Sequence, residues 1–130
     1  MSVEQAMDTK ALGEAVVEHV NADGDDKELW ARHWSDSCVS VEGDGKVYEG
    51  IEALKAKYDW FFGAFTVHSC RASGPYVGPS GFAVHYEIDV EAKDGSMPRM
   101  QMQEVGVYTV ENGKVVREEF WGKPMPGCEG

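Results

Sequence analysis

The sequence is short of the residues that fill most cores: it has three leucines and two isoleucines in 130 residues, against sixteen valines. That imbalance tilts the core towards β-structure. Basic residues are scarce too, with Lys+Arg at 12, Asp+Glu at 23 and a formal net charge of -11. Phosphate backbones and anionic headgroups repel such a chain, which argues against nucleic-acid and membrane partners. The three cysteines, Cys38, Cys70 and Cys128, are odd in number and widely separated, and none forms a CxxC pair. This excludes a disulfide framework and gives no sign of structural zinc. A cytoplasmic location is the simplest expectation, with Cys38 and Cys70 as small apolar strand residues. No run approaches eighteen apolar residues, and Glu4, Asp8 and Lys10 interrupt the stretch that a secretory signal would need. There is no internal repeat, low-complexity tract or linker. The chain therefore reads as one domain over 1–130, with 123–130 as a loose tail.

Hydrophobic residues at 42% and charged residues at 27% are ordinary globular usage. A chain of this length buries roughly two-thirds of its unfolded surface. Helical signals sit in the first half. Asp8 or Thr9 is a candidate cap for a helix with the stripe Leu12, Val16 and Val20, and Asn21-Ala22-Asp23-Gly24 stops it. Asp25 or Asp26 caps a short second helix through Trp34, with Leu29 and His33 one turn apart and Trp30 and Trp34 on an adjoining face. A third helix follows Gly50, where Ile51, Leu54, Tyr58, Phe61 and Phe62 share one side and Trp60 falls opposite.

Strand signals follow. Cys38 to Glu42 and Lys46 to Glu49 flank the turn Gly43-Asp44-Gly45. Longer runs cover Thr66 to Val77, Phe82 to Ala92, Arg99 to Val110 and Val115 to Trp121. Asn112-Gly113, between the last two, is the strongest hairpin signal in the chain. Two helices, a hairpin, one helix and an antiparallel meander give an α+β fold. Strands of this length make a strongly curved antiparallel sheet, which wraps the N-terminal helices as a cone.

Period-two alternation then separates the faces. Met100, Met102, Glu104, Gly106, Tyr108 and Val110 form one face of their strand, assigned to the concave side, so Glu104 points inward among methionines. The opposite face, with Gln101, Gln103, Val105, Val107 and Thr109, is too apolar for open solvent and reads as a dimer interface on the convex side. Phe82, Val84, Tyr86, Ile88 and Val90 are assigned to the core, and His85, Glu87, Asp89 and Glu91 to the other face. The last strand divides into Val116, Glu118 and Phe120 against Val115, Arg117, Glu119 and Trp121. An outward Arg117–Glu119 pair leaves Glu118 as a second acid for the inside.

With "GIEALKAKYDWFFGAFTVHS", "SGPYVG" and "MQEVGVYTVENGKVVREEFWG" in this order, the chain resembles the SnoaL-like branch of the nuclear transport factor two superfamily. Ketosteroid isomerases and scytalone dehydratases belong to the same superfamily. The likeness runs from about Ala11 to Gly122, and the final hairpin is its most specific part. It implies a cone-shaped α+β barrel with a pocket, commonly a homodimer. A superfold of this kind hosts enzymes, carriers and docking modules alike. The resemblance places Glu42, in "CVSVEG", about where an isomerase holds its general base. The isomerase's oxyanion tyrosine falls near Val16 and its protonated aspartic acid near Gly106, and neither residue can donate from a side chain. Steroid isomerisation is therefore not expected.

The candidate catalytic residues are Glu104, Glu42 and His33. Burial would raise either carboxyl towards neutral pH, and an imidazole titrates there unaided. Against these stand plain structural roles: a solvated strand-end acid for Glu42, a satisfied buried acid for Glu104, and a core or interface histidine for His33. His68, beside Cys70, reads as structural. Trp30, Trp34, Tyr58, Trp60, Met102, Tyr108 and Glu118 are candidate ligand contacts, since aromatic walls suit a flat apolar molecule. His33, Glu42, Glu104 and Glu118 lack any metal-ligand spacing, and no glycine loop suits a phosphate, so neither metal nor cofactor is expected. The resulting expectation is a small-molecule-binding protein, with cofactor-independent isomerase, cyclase or dehydratase chemistry if it is an enzyme. The alternative is a non-enzymatic dimeric module with a filled cone.

Overall fold

A computed structural model of the chain describes residues 3–123, with side chains from Thr9 onward. The predicted tail lies, apart from Lys123, outside the described residues. Three helices precede or interrupt six strands: α1 (Val3–Asn21), α2 (Asp26–His33), β1 (Trp34–Val41), β2 (Val47–Glu49), α3 (Ile51–Ala64), β3 (Phe65–Val77), β4 (Gly81–Ala92), β5 (Met100–Glu111) and β6 (Lys114–Gly122). The strands form one open sheet in the order β2-β1-β6-β5-β4-β3.

Most of these elements follow from local chemistry. The Asp25 carboxylate accepts from the Lys27 N–H and caps α2. Asn112 and Gly113 both have positive φ, 53° and 75°, the backbone that a two-residue hairpin turn requires. Three details differ from the sequence reading. Helix α1 begins at Val3, so Asp8 and Thr9 lie inside it and do not cap it. Helix α2 closes at His33, and Trp34 already belongs to β1. The sheet is mixed, because β1 pairs parallel to β6 and antiparallel only to β2.

A fourth difference concerns the last strand. A register shift between Thr109 and Val110 resets the β5–β6 ladder. Val115 is consequently fully buried, in place of Val116, while Glu118 keeps its inward position. An uninterrupted alternation cannot foresee such a bulge.

The core gathers Leu12 and Val16 of α1, Leu29 and Trp30 of α2 and Leu54 of α3 against Trp34, Cys38, Phe82, Val84, Tyr86, Tyr108, Val110 and Val115 of the sheet. Burying each of the larger apolar side chains contributes about 1.5–3 kcal/mol. Of the α3 stripe only Leu54 is fully buried, and Phe62 is exposed. No described helix is long and apolar enough to cross a membrane.

Candidate functional site

The polar interior is built where β1, β6 and α3 meet. On the parallel β1–β6 pair, Ser40 and Glu118 are register partners, and across β5–β6 Glu118 faces Tyr108. Glu118 is 3% exposed. The Trp34 indole N–H donates to its Oε1 at 2.8 Å, and the Ser40 hydroxyl donates to its Oε2 at 2.7 Å. Lys57 of α3 extends this chain: its Nζ lies 2.8 Å from Ser40 Oγ, 2.6 Å from Glu42 Oε1 and 3.9 Å from Glu118 Oε2. The ammonium also sits 5.2 Å from the ring centres of both Tyr48 and Phe120. Burial raises the Glu118 carboxyl; the Ser40 and Trp34 hydrogen bonds and the Lys57 charge oppose that rise.

Glu104 faces this cluster from β5. Its register partners are Tyr86 on β4 and Gly122 on β6. Desolvation, reinforced by the negative charge of Glu42 and opposed by Lys57, pushes its carboxyl from 4.5 up to about 7. Glu42 and Glu104 are therefore neighbours around one ammonium, with different partners. Glu42 is held in an ion pair, whereas among the described residues the Glu104 carboxyl has no hydrogen-bond or ion-pair partner. The hydrogen bond that would make Glu104 a satisfied buried acid is not made by Tyr108.

Tyr108 bonds elsewhere. Its hydroxyl meets that of Tyr86 at 2.5 Å, and its ring stacks on Phe82 with edge contacts to Trp34 and Phe120. Gly106 makes room for this pair: a Cβ there would come within 2.6 Å of the Tyr108 hydroxyl. The position where the resemblance finds no side-chain donor is thus crossed by a tyrosine hydroxyl reaching over from two residues along the same strand. Gly106→Ala is expected to displace Tyr108 and cost about 1–3 kcal/mol, read by chemical denaturation. A neutral result would mean that the ring moves aside freely.

His33 does not join the site. It lies with Ala11, Leu12, Ala15 and Gly113 around a shallow depression of about 260 Å³ at the β5–β6 hairpin. The charges nearest it are those of Arg32, Lys114 and His19, and burial lowers its pKa. Glu111 pairs with Lys114 beside that hairpin, and Glu104 is seven residues back along β5, roughly 20 Å away at the usual strand rise. The structure does not bring His33 to Glu104. A second open depression, along Ser35, Glu111, Asn112, Lys114 and Val116, also lies at this end.

The other candidates divide. Trp34 and Tyr108 are buried and committed to Glu118 and Tyr86, and Trp30 is buried edge-on to Tyr58 at 5.6 Å. Tyr58 is part-buried, its hydroxyl 3.3 Å from Asp25 Oδ1, and Met102 is part-buried on the Glu104 face. Trp60 is 66% exposed and packs edge-on to Phe65. His68 pairs with Glu91 on the neighbouring strand, at 2.5 Å.

Two residues of the interior escaped the sequence reading. Lys57 stands at the spacing Leu54, Lys57, Tyr58, Phe61, a lysine inside an apolar stripe, and that was the available signal. Asp26 stands likewise with Leu29, Trp30 and His33 on the buried side of α2. Desolvation first, then the charge of Glu118, raises its carboxyl from 3.8 to about 6, with a smaller opposing effect of His19. No group of three or more His, Cys, Asp or Glu side chains among the described residues is arranged to hold a metal ion.

Residues 17–121 match the family model of the SnoaL-like domain. The chain belongs to the SnoaL-like family. A crystal structure from Mesorhizobium loti, provisionally named a SnoaL-like polyketide cyclase, is 31% identical over 93% of this chain and 99% of its own, with a TM-score of 0.78. A similarly named protein from Jannaschia sp. CCS1 is 16% identical over 88% of each chain, with a TM-score of 0.73. A Catenulispora acidiphila protein of ketosteroid isomerase-like fold, solved with trimethylamine, is 10% identical over 87% of this chain and 85% of its own, with a TM-score of 0.68. At those lower identities the likeness is one of fold alone. Among curated proteins none matches significantly. Within this SnoaL-like fold, the polar cluster sits where β1, β5, β6 and α3 converge, away from the hairpin end that holds His33.

Proposed function

We propose that this SnoaL-like protein binds a small hydrophobic or aromatic molecule in its cone and performs cofactor-independent acid/base chemistry on it, such as isomerisation, cyclisation or dehydration. The observation that carries the reading is Glu104, an inward carboxyl with no partner of its own, raised to about 7 by burial and by Glu42. A group poised there exchanges a proton at neutral pH, which is what a general base or acid needs. Glu42 serves as its charged neighbour and not as the base, because Lys57 holds it at 2.6 Å. Met102 on the same face of β5 and Phe120 beside Lys57 supply the apolar surroundings. The provisional name of the Mesorhizobium relative, a SnoaL-like polyketide cyclase, agrees with cyclase chemistry.

The chemistry is tested by deuterium exchange at the α-carbon of an aromatic ketone such as 2-tetralone, followed by NMR. The wild-type chain is expected to accelerate exchange over buffer, and the acceleration to be lost in Glu104→Gln. Equal rates in the two proteins would contradict the assignment.

One observation favours the non-enzymatic module instead. Tyr86, Tyr108 and Phe82 fill the floor of the cone, and the two depressions described above lie outside it. Native mass spectrometry with and without 2-tetralone separates the readings, since a module with a filled cone retains no small molecule.

We further propose a homodimer through the convex sheet. Trp121 is 59% exposed and pairs in register with Val105, so an apolar patch faces outward at this end of β5 and β6, beside the Arg117–Glu119 pair. Light scattering is expected to give about twice 14.3 kDa; a monomer would refute this face as the interface. Cys38 and Cys70 are free thiols, which fits a cytoplasmic location.

A further inference from the structure

Glycine inside a strand costs stability, and where it occurs it usually marks a bulge, a crowded contact, a special backbone angle or a ligand. Gly122 stands in β6 directly opposite Glu104. The ladder continues past it, because the Lys123 N–H donates to the Gln103 carbonyl at 3.0 Å. Pairing is regular from Gly106↔Phe120 through Val105↔Trp121 to Glu104↔Gly122, so no bulge calls for the glycine. Its φ is not positive, so the backbone does not call for it either. Nor does crowding: a Cβ at Gly122 would meet no described atom within 4 Å. Gly106 is the opposite case, since the Tyr108 ring fills the space that its Cβ would take.

The open space at Gly122 lies against Glu104. The Lys123–Gln103 bond marks those two as a hydrogen-bonded pair, which makes Glu104 and Gly122 a non-hydrogen-bonded pair. Cα atoms of such a pair are about 4.5 Å apart, and their side chains leave the sheet on the same side. Any side chain at this position would therefore cover Glu104 from β6.

The other neighbours of Glu104 on this face do carry side chains. Tyr86 is its partner on β4, Met102 is next along β5, and Phe120 is the next inward residue of β6. Phe120 is edge-on to Tyr108 and 5.2 Å from the Lys57 ammonium. Trp121, between Phe120 and Gly122, points outward and is 59% exposed. Glu104 thus stands among large side chains with one gap beside it, and Gly122 itself is exposed.

We propose that Gly122 is the size-determining residue of the site, where the substrate lies across bare β6 backbone to bring its reacting carbon to Glu104. This role rests on the acid/base reading of Glu104 and names the shape of substrate admitted. A flat aromatic ketone suits the gap: its ring edge takes the place of the missing side chain, and its apolar faces meet Phe120 and Met102. Glu118, with its bonds to Trp34 and Ser40, lies further in on the same side of β6, so enlarging residue 122 narrows the gap without touching that network.

A size series on the full chain, Gly122→Ala, Gly122→Val and Gly122→Phe, tests this through α-carbon deuterium exchange of 2-tetralone and of acetone. Exchange of 2-tetralone is expected to fall with each enlargement, and by at least about tenfold in Gly122→Phe. Acetone needs less room and should lose less, so the ratio of the two rates separates a blocked entry from a damaged base. Equal 2-tetralone rates across the series, equal losses for both ketones, or exchange of acetone alone by the wild-type chain would overturn the proposal and leave the acid/base reading intact. If the wild-type chain accelerates exchange of neither ketone, both fall together. The wild-type chain also gives a test that no folding defect can obscure. Its Gly122 amide resonance is expected to shift on addition of millimolar 2-tetralone, and a resonance that stays in place while the ketone is exchanged would contradict entry there.

Discussion

Glu118→Ala is expected to destabilise the domain by about 3–5 kcal/mol. The side chain is 3% exposed and ties three residues to β6: Trp34 at the start of β1, Ser40 further along it, and Lys57 on α3. Removing the carboxylate leaves an indole N–H and a serine hydroxyl buried without their acceptor, and an ammonium with less negative charge around it. Each stranded neutral donor costs about 1–3 kcal/mol, and the ammonium more. The cavity adds to the loss, because Ser40 and Tyr108, its register partners on either side, are themselves buried. Glu118→Gln keeps the volume and an acceptor for one donor, so its cost should be clearly smaller. Guanidinium denaturation reads both variants. A loss below about 1 kcal/mol for Glu118→Ala would mean that the hydrogen bonds are replaced by water.

Glu104→Gln is expected to lower α-carbon exchange about 10²–10⁴-fold, the usual contribution of a positioned general base. The shape of the pH profile is fixed by sign. The catalytic form is the carboxylate, so the wild-type rate rises with pH through about 7 and levels above it, as the proton leaves Glu104. Glutamine cannot titrate, and its residual rate should be flat over the same interval. Glu42 contributes through this pKa: its charge is the second cause of the rise after burial. Glu42→Gln should therefore move the inflection to lower pH while leaving a base in place. A pH profile that survives Glu104→Gln unchanged would assign the proton transfer to another group.

The strands of this fold were legible because valine, tyrosine and phenylalanine alternate in them with polar residues, and because Asn112-Gly113 needs two positive φ angles. The inward placement of Glu104 and Glu118 followed from the same alternation. Three things did not. The parallel β1–β6 pairing is a long-range choice that no local pattern records. The bulge beyond Thr109 adds a residue to the count, so Val116 was placed where Val115 lies. The start of α1 was set at Asp8 and Thr9 by their capping chemistry, yet the helix continues to Val3.

At the site, helix α2 explains the miss. His33 and Asp26 share one face, and the reading took the histidine for the functional end. The structure puts His33 by Lys114 at the closed hairpin and Asp26 by Tyr58 and Cys70 at the other end of the same helix. Lys57 was overlooked for a related reason. Lysines are usually solvated, and only the tertiary fold shows this one threaded between Tyr48 and Phe120 to reach Glu42.

The most direct measurement is the titration of Glu104 itself, by ¹³C NMR of side-chain carboxyls in glutamate-labelled protein between pH 4 and 9. One resonance, absent in Glu104→Gln, is predicted to titrate at about 7. If that resonance instead titrates near 4.5, the carboxyl is an ordinary solvated acid, and the interior holds no group poised for proton transfer at neutral pH.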